Sequence, residues 1–249
     1  MQDRLLAWYQ ANAHDFPWRR TRDPYAILVS EVMLQQTQVS RIVPRYEAWL
    51  ERWPTAGALA AASPADVIRE WSGLGYNRRA VNLHRCAQRV VELGAFPSDP
   101  AELQRLPGIG PYTAAAVACF AFGAQVQAPD TNARRVLERL GNPDLLPPPG
   151  RAYEWNQALF DLGREICIAR RPRCEQCPLA DCCPSRGMTF APLRKQKPFA
   201  GSLRQRRSAV LRRLTGEVSV PSSELDGEAL SALVADGLAV ITNSEARLP

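Results

Sequence analysis

The stretch LPGIG, Leu106 to Gly110, separates two runs whose apolar residues recur at three- and four-residue spacing, Ala101–Leu106 and Pro111–Phe122. Glycines at Gly108 and Gly110 permit a tight turn whose backbone can be approached closely. A helix opening at Pro111 would point its first free N–H groups outward, and such a start suits an anion. A DNA phosphate could sit there, with Pro107, Gly108 and Gly110 around it, without any base being read. The plainer alternative is an ordinary turn between antiparallel helices. The L-P-G-I-G pattern favours a helix-hairpin-helix over it.

Helical signals extend in both directions. Upstream lie Arg4–Ala11, Tyr25–Gln38, Ile42–Trp53, Pro64–Trp71 and Asn77–Leu93, and downstream Asn132–Leu140 and Ala152–Ile166. Each carries the helical apolar period. Ser63-Pro64 supplies a cap followed by proline at the first helical position, and Gly73, Gly94 and Gly141 follow helix ends. No segment alternates convincingly with period two, so the main body reads as all-α. The run NPDLLPPPG, Asn142 to Gly150, is a stiff connector. From Cys183 to Leu203 the chain turns proline- and base-rich, and residues 188–202 read as a linker. Residues 203–249 then offer helices around Arg204–Leu214 and Gly227–Asp236, followed by LAVIT and ARLP flanking Asn243-Ser244. Two helices and a hairpin suggest a small winged-helix-like unit, with a helical tail packed on the main body as the alternative.

Composition narrows the class. A hydrophobic share of 46% and a charged share of 22% suit a soluble globular protein. No apolar run approaches the roughly 20 residues that span a bilayer. The start, MQDRLLAWYQ, has an acid at Asp3 and no cleavage pattern, so a signal peptide is not expected and a cytoplasmic location is. A net charge of +6 and a pI near 9.1 suit a polyanionic partner or, less specifically, a solvated basic surface. The bases themselves are more telling. Lysine occurs only at Lys195 and Lys197, so there is none from Met1 to Arg194.

Seven cysteines are present, an odd number, and a cytoplasmic chain keeps its thiols reduced. Cys86 and Cys119 sit inside apolar helical patterns and read as buried thiols. The other five crowd EICIARRPRCEQCPLADCC, Glu165 to Cys183. Cys167, Cys174, Cys177 and Cys183 follow C-x6-C-x2-C-x5-C, with Cys182 competing for the last place. Zinc usually takes two close pairs separated by a longer loop. Only one close pair exists here, and four thiolates at uneven spacing in one loop suit an iron–sulfur cube. Spacing alone ranks the cluster first and leaves zinc and inert thiols open. Arg170, Arg171 and Arg173 also make the loop densely basic.

The order LPGIG, then Asp130 in APDTNARRVL, then four cysteines resembles the helix-hairpin-helix DNA glycosylases of the endonuclease III superfamily. Within that superfamily, LVSEVMLQQTQV (Leu28–Val39), GLGY (Gly73–Tyr76), WNQALFDLG (Trp155–Gly163) and the cysteine spacing resemble the MutY family, adenine glycosylases acting opposite oxidised guanine. The resemblance covers about residues 1–187. It implies a 4Fe-4S cluster held by Cys167, Cys174, Cys177 and Cys183. It also implies two lobes facing a catalytic cleft: a six-helix lobe over residues 24–127, and a second lobe made of residues 1–23 and 128–187.

The chemistry such a site needs can be read residue by residue. Removing a base calls for a proton on the leaving group and a negative charge near the cationic sugar. Glu31 matches the family's general acid, and its apolar helix (Ile27, Leu28, Val29, Val32, Met33, Leu34) would raise its pKa and keep a proton for N7 of a flipped adenine. Asp130 matches the aspartate that stabilises the sugar cation. An Asp just before a helix is also the commonest kind of cap, and both roles can hold, since N–H groups there keep the carboxylate charged. Asn132 and Tyr112 match supporting positions. Relatives that also cut the backbone carry lysine at the position of Tyr112, and a lysine Schiff base cannot form in a lysine-free body. A monofunctional enzyme acting on double-stranded DNA, as a monomer, is expected. Gln36, Thr37, Leu74 and Tyr76 match positions that wedge into the stack or contact the opposite base. Trp18, Arg19 and Gln157 match the adenine-pocket side. His14 and His84 are isolated and read as surface or packing residues.

Two departures are plain. MutY proteins usually have a second tyrosine where this chain has Asn77, and most continue into a Nudix-like β domain that reads oxidised guanine. Residues 203–249 are too few for that domain and lack its strand pattern. The rivals are a mismatch glycosylase removing thymine, uracil or hypoxanthine, and a non-catalytic DNA-structure binder. Glu31 argues against removal of a pyrimidine, which has no N7, and a binder needs neither Glu31 nor Asp130.

Overall fold

A computed structural model describes residues 1–191 and 198–249. The middle of the expected linker, with Lys195 and Lys197, lies outside the described residues. Among those described, the helices are α1 (Gln2–Asn12), α2 (Pro24–Leu34), α3 (Val39–Arg52), α4 (Ala56–Ala60), α5 (Pro64–Trp71), α6 (Arg78–Leu93), α7 (Pro100–Leu103), α8 (Pro111–Phe122), α9 (Thr131–Arg139), α10 (Ala152–Glu165), α11 (Leu203–Gly216) and α12 (Gly227–Ala235). Short strands β1 (Val220–Pro221), β2 (Val240–Thr242) and β3 (Glu245–Arg247) complete the C-terminal part. No helix among the described residues is long and apolar enough to cross a membrane.

The chain divides into two compact units. One comprises Met1–Glu31, Pro97–Arg105 and Ile109–Lys195; the other comprises Val32–Phe96, Leu106–Gly108 and Gln196–Pro249. In the first, Leu5, Leu6 and Tyr9 of α1, Val136 and Leu137 of α9, and Trp155, Leu159 and Leu162 of α10 form one buried core that Leu179 closes from the cysteine loop. Fully burying a side chain such as Leu159 contributes about 2 kcal/mol, so this core fixes α9 and α10 firmly.

In the second unit, Trp49 of α3 packs edge-on against Trp71 of α5 at 5.5 Å. Ile68 of α5 and Val81 of α6 share a core with Val210, Leu211 and Leu214 of α11, Leu230 and Leu233 of α12, and Val220 and Ala246 of the sheet. The strands are antiparallel in the order β1-β3-β2, with Val220 opposite Ala246 and Ile241 also opposite Ala246. A helix, a strand, a second helix and a two-stranded wing form the winged-helix-like unit, and through Ile68 and Val81 it also packs on the helical body.

Local chemistry explains most boundaries. Ser63 caps α5, its Oγ accepting from Asp66 N–H at 3.1 Å, and Pro64 takes the first helical position. Gly94, at φ +79°, ends α6 in the left-handed conformation. The periodicity carried α2 to Gln38, but the helix stops at Leu34. Gln36 is left-handed at φ +56°, and α3 restarts at Val39 with Gln38 as its cap. Helix α4 has too little apolar period to be seen in advance; Thr55 sets it, accepting from Ala58 N–H at 3.1 Å.

Candidate active site and cysteine loop

Glu31 sits near the end of α2, whose Ala26, Ile27, Leu28, Val29 and Met33 are all buried. A helix apolar on every side has no solvent face on which to place a carboxylate. Glu31 is only 6% exposed, and the Tyr112 hydroxyl at the start of α8 donates to its Oε2 at 2.6 Å. Burial pushes the Glu31 carboxyl up to about 7, and the nearby charge of Asp130 adds to the rise, while the Tyr112 hydrogen bond and Arg19 oppose it. Burial and the same carboxylates push the Tyr112 hydroxyl well above its ordinary value, so it remains a donor.

Asp130 is the N-cap of α9. Its Oδ1 accepts from Ala133 N–H at 2.6 Å and its Oδ2 from the Asn132 amide at 3.0 Å. These donors and Arg135 favour the charged form, as the helix-start position led us to expect. Burial outweighs them, and the net shift is upward from the ordinary carboxylate value. Two carboxyls with distinct surroundings thus stand together: Glu31 desolvated and lightly bonded, Asp130 fastened by several N–H groups.

Arg19 and Trp18 lie on a 3-10 turn, Pro17–Arg19. Arg19 forms a two-pronged pair with Asp161 of α10, both bonds at 2.8 Å, and Asp161 also takes Arg164 at 2.9 Å. The Arg19 Nε is buried and has no hydrogen-bond partner. Trp18 is buried and stacks on Phe16 at 5.1 Å. Gln157 is buried on α10, four residues before Asp161.

The hairpin needs glycine at one position rather than two. Gly108 is left-handed at φ +77°, and a Cβ there would fall 2.6 Å from that of Asn82. Gly110, at φ −89°, could be any residue by conformation, but nothing lies within 4 Å of the missing Cβ. It caps α8 without a side chain, leaving the Tyr112 and Thr113 N–H groups outside the helical ladder. In the second unit, Tyr76 is 50% exposed and Gln36 is exposed, whereas Leu74 is 8% exposed and Thr37 half-buried. Tyr76, at φ +47°, and Gln36 are both left-handed without being glycine, a state that costs on the order of 1 kcal/mol each.

Cys167, Cys174, Cys177 and Cys183 line one open recess, together with Arg139, Ile166 and Arg186. Cys182 is exposed and does not line it. No three His, Cys, Asp or Glu side chains among the described residues converge tightly enough for a single metal ion. Four thiols around one open recess are a donor set that fits an iron–sulfur cluster. Two of the sulfurs also accept N–H groups: Gly187 N–H reaches Cys174 Sγ at 3.3 Å, and Arg139 Nη1 reaches Cys167 Sγ at 3.4 Å. Such donors suit a thiolate.

Sequence reasoning missed four residues that hold this site together. Arg135 donates to Cys167 C=O at 2.9 Å, to Gly163 C=O at 2.6 Å and to Asn132 Oδ1 at 2.9 Å, linking the cysteine loop to the amide that holds Asp130. Asn156, fully buried, donates to Val126 C=O at 2.9 Å and accepts from Ala128 N–H at 2.8 Å, fixing the segment that leads to Asp130. A Cβ on Gly163 would lie 2.8 Å from that of Asn132, so only glycine lets α9 and α10 approach this closely. Asp161 orients Arg19. Asn156, Asp161 and Gly163 all fall in WNQALFDLG, where a polar residue among apolar ones was the available signal.

Residues 29–159 match the HhH-GPD superfamily base excision DNA repair protein family. An adenine DNA glycosylase of Mycolicibacterium smegmatis is 44% identical over 94% of this chain and 90% of its own length. That of Homo sapiens is 40% identical over 73% of this chain and 38% of its own length. Among solved structures, a thermostable thymine-DNA glycosylase aligns with a TM-score of 0.67 at 29% identity, covering 73% of this chain and 93% of that one. Endonuclease III in a trapped covalent complex with DNA aligns with a TM-score of 0.63 at 25% identity, covering 74% and 92%. The chain belongs to the HhH-GPD superfamily of base excision DNA repair proteins and, within it, to the adenine DNA glycosylase family.

Proposed function

We propose that the chain is a monofunctional DNA glycosylase of base excision repair. It takes an adenine mispaired with 8-oxoguanine or guanine out of duplex DNA, hydrolyses its N-glycosidic bond and leaves an abasic site. The observation that carries this reading is the buried Glu31 carboxyl, pushed up to about 7 and bonded to Tyr112, in the same site as Asp130.

The protonated Glu31 gives its proton to N7 of the flipped adenine, so the bond from N9 to the sugar breaks with its electrons leaving on the base. The ionised Asp130, held by Ala133 N–H and Asn132, faces the positive charge that develops on the sugar. Water adds at the anomeric carbon, and the Glu31 carboxylate takes its proton, which restores the acid. A positioned acid of this kind is worth roughly 10²–10⁴ in rate. Trp18, Arg19 and Gln157 flank the base, and the Asp161 pair keeps Arg19 in one orientation. Tyr112 occupies the position where a lysine would be needed for strand cleavage, and no lysine precedes Lys195.

Gln36, Thr37, Leu74 and Tyr76 act on the stack, and the Pro107–Gly110 hairpin takes a backbone phosphate. We place the protein in the cytoplasm as a monomer. Cys167, Cys174, Cys177 and Cys183 would hold a 4Fe-4S cluster, which would tie down the loop after α10. Arg135 connects that loop to Asn132.

Likeness to a thymine-DNA glycosylase favours a second reading, removal of thymine from T·G. Glu31 speaks against it, because only a purine offers N7. A pure DNA binder is disfavoured by the C-terminal unit, whose α11 commits Arg206 to Asp226 and Glu228, Arg207 to Asp236, and Arg213 to Glu217 and Glu224. The test is mass spectrometry of the free base released from A·8-oxoguanine and T·G duplexes. Adenine from the first alone supports the proposal, and thymine from the second overturns it.

A further inference from the structure

Five carbonyls from two separate turns converge on one half-buried guanidinium. Arg79, in the first turn of α6, donates through Nη1 to Val32 C=O at 2.5 Å, Met33 C=O at 3.3 Å and Gln35 C=O at 2.9 Å. Through Nη2 it donates to Leu74 C=O at 3.4 Å and Gly75 C=O at 3.2 Å. The first set belongs to the unwound end of α2, immediately before Gln36. The second belongs to the turn that ends at Tyr76. Both turns thus end in an exposed, left-handed residue that is not glycine.

Each turn alone is underdetermined. Carbonyls at a helix end have no partners in the helix, and a left-handed glutamine or tyrosine relaxes unless its surroundings forbid it. The Gly73–Tyr76 turn has other ties: Arg41 reaches Gly73 C=O at 3.2 Å, Arg45 reaches Glu70 C=O at 3.0 Å, and the Trp71 indole N–H reaches Gly75 C=O at 3.1 Å. None of these three reaches the Gln35–Thr37 turn, whereas Arg79 bonds to both turns. The guanidinium plane also lies near the Tyr76 ring, 5.6 Å from its centroid, and the Trp71 ring at 5.2 Å. Its Nε is buried with no partner, so the two terminal nitrogens do all the holding. A planar fork can serve two turns at once, which a single ammonium cannot.

We propose that Arg79 is a positioning residue for base extrusion: it locks the Gln36 and Tyr76 turns into one rigid wedge, so that both side chains enter the duplex together. This rests on the reading of the chain as a base-flipping glycosylase. Arg79 itself touches no DNA base in this role.

The test uses the full chain carrying Glu31→Gln, so that no base is lost, with and without Arg79→Met or Arg79→Lys. The probe is a duplex with 2-aminopurine beside an A·8-oxoguanine pair, which brightens when its stacking is broken. Duplex affinity and the melting transition are followed in parallel. At saturating protein, the brightening should fall roughly tenfold in both Arg79 variants while affinity stays within about threefold, because a misplaced group loses its effect steeply with distance. If Arg79→Met does not fold, Arg79→Lys alone carries the test, since it keeps the charge and loses only the fork. With Glu31 restored, adenine release from a mispair should slow about tenfold in Arg79→Lys, whereas release from an adenine already unstacked in a bulge should hardly change. Undiminished brightening, or equal slowing on mispair and bulge, overturns the proposal. Arg79-dependent brightening in a protein that releases no adenine would instead sink the glycosylase reading and leave the wedge standing.

Discussion

Replacing Glu31 by glutamine should stabilise the protein, and the amount should depend on pH in a way fixed by one buried proton. The ordinary value for this carboxyl is 4.5, and burial brings it to about 7 in the folded chain. The unfolded chain therefore releases the proton near 4.5 and the folded chain only near 7, so between those values the native state holds one proton more. Native stability then falls as pH rises through the window and is lowest above it. At 1.36 kcal/mol per pH unit, the full loss is about 3 kcal/mol. Glutamine keeps an oxygen to accept the Tyr112 hydroxyl and has no charge to bury. The variant should match the wild type at about pH 4 and exceed it by about 3 kcal/mol at about pH 8.5. Urea unfolding at half-unit pH steps measures this, with unchanged m-values confirming the same transition. Parallel stability curves over the whole range would refute the reasoning, because Glu31 would then be solvated in both states.

Other consequences follow from the same geometry. Single-turnover base release should decline with a one-proton slope as pH rises through about 7, since the acid form of Glu31 is the active one; a rate flat to about pH 9 would exclude it. Gly163→Ala should cost about 1–3 kcal/mol by forcing α10 from Asn132, and should slow catalysis with little change in DNA affinity, as thermal melting and binding titration would reveal. Cys183→Ser should abolish bound iron and sulfide while Cys182→Ser leaves them intact, and the reverse pattern would move the fourth ligand.

The sequence made the helical body legible because its signals are local. Ser63-Pro64, Gly94 and the apolar period at Pro111–Phe122 each specify structure within a few residues. The end of α2 was not legible, since Gln36 carries no left-handed signature and the carbonyl before it, that of Gln35, is bonded by Arg79, distant along the chain. Asn156, Asp161 and Gly163 were hidden for a related reason. Each acts through a contact with another element, on Ala128, Arg19 and Asn132 respectively, and no periodicity reports such contacts. The surroundings of Glu31 are legible in the sequence. An acid on a helix with apolar residues on every side has nowhere to go except into a buried hydrogen bond. Asp130 was half legible: its capping bonds could be foreseen, but burial outweighing them could not.

The most direct measurement is single-turnover cleavage of duplexes carrying A·8-oxoguanine, A·G, T·G, U·G and hypoxanthine·T, with and without alkali, for the wild type and Glu31→Gln. The account predicts adenine release that needs alkali to break the strand and that disappears in the variant. Strand scission without alkali, or release of thymine or uracil that survives in Glu31→Gln, would contradict it.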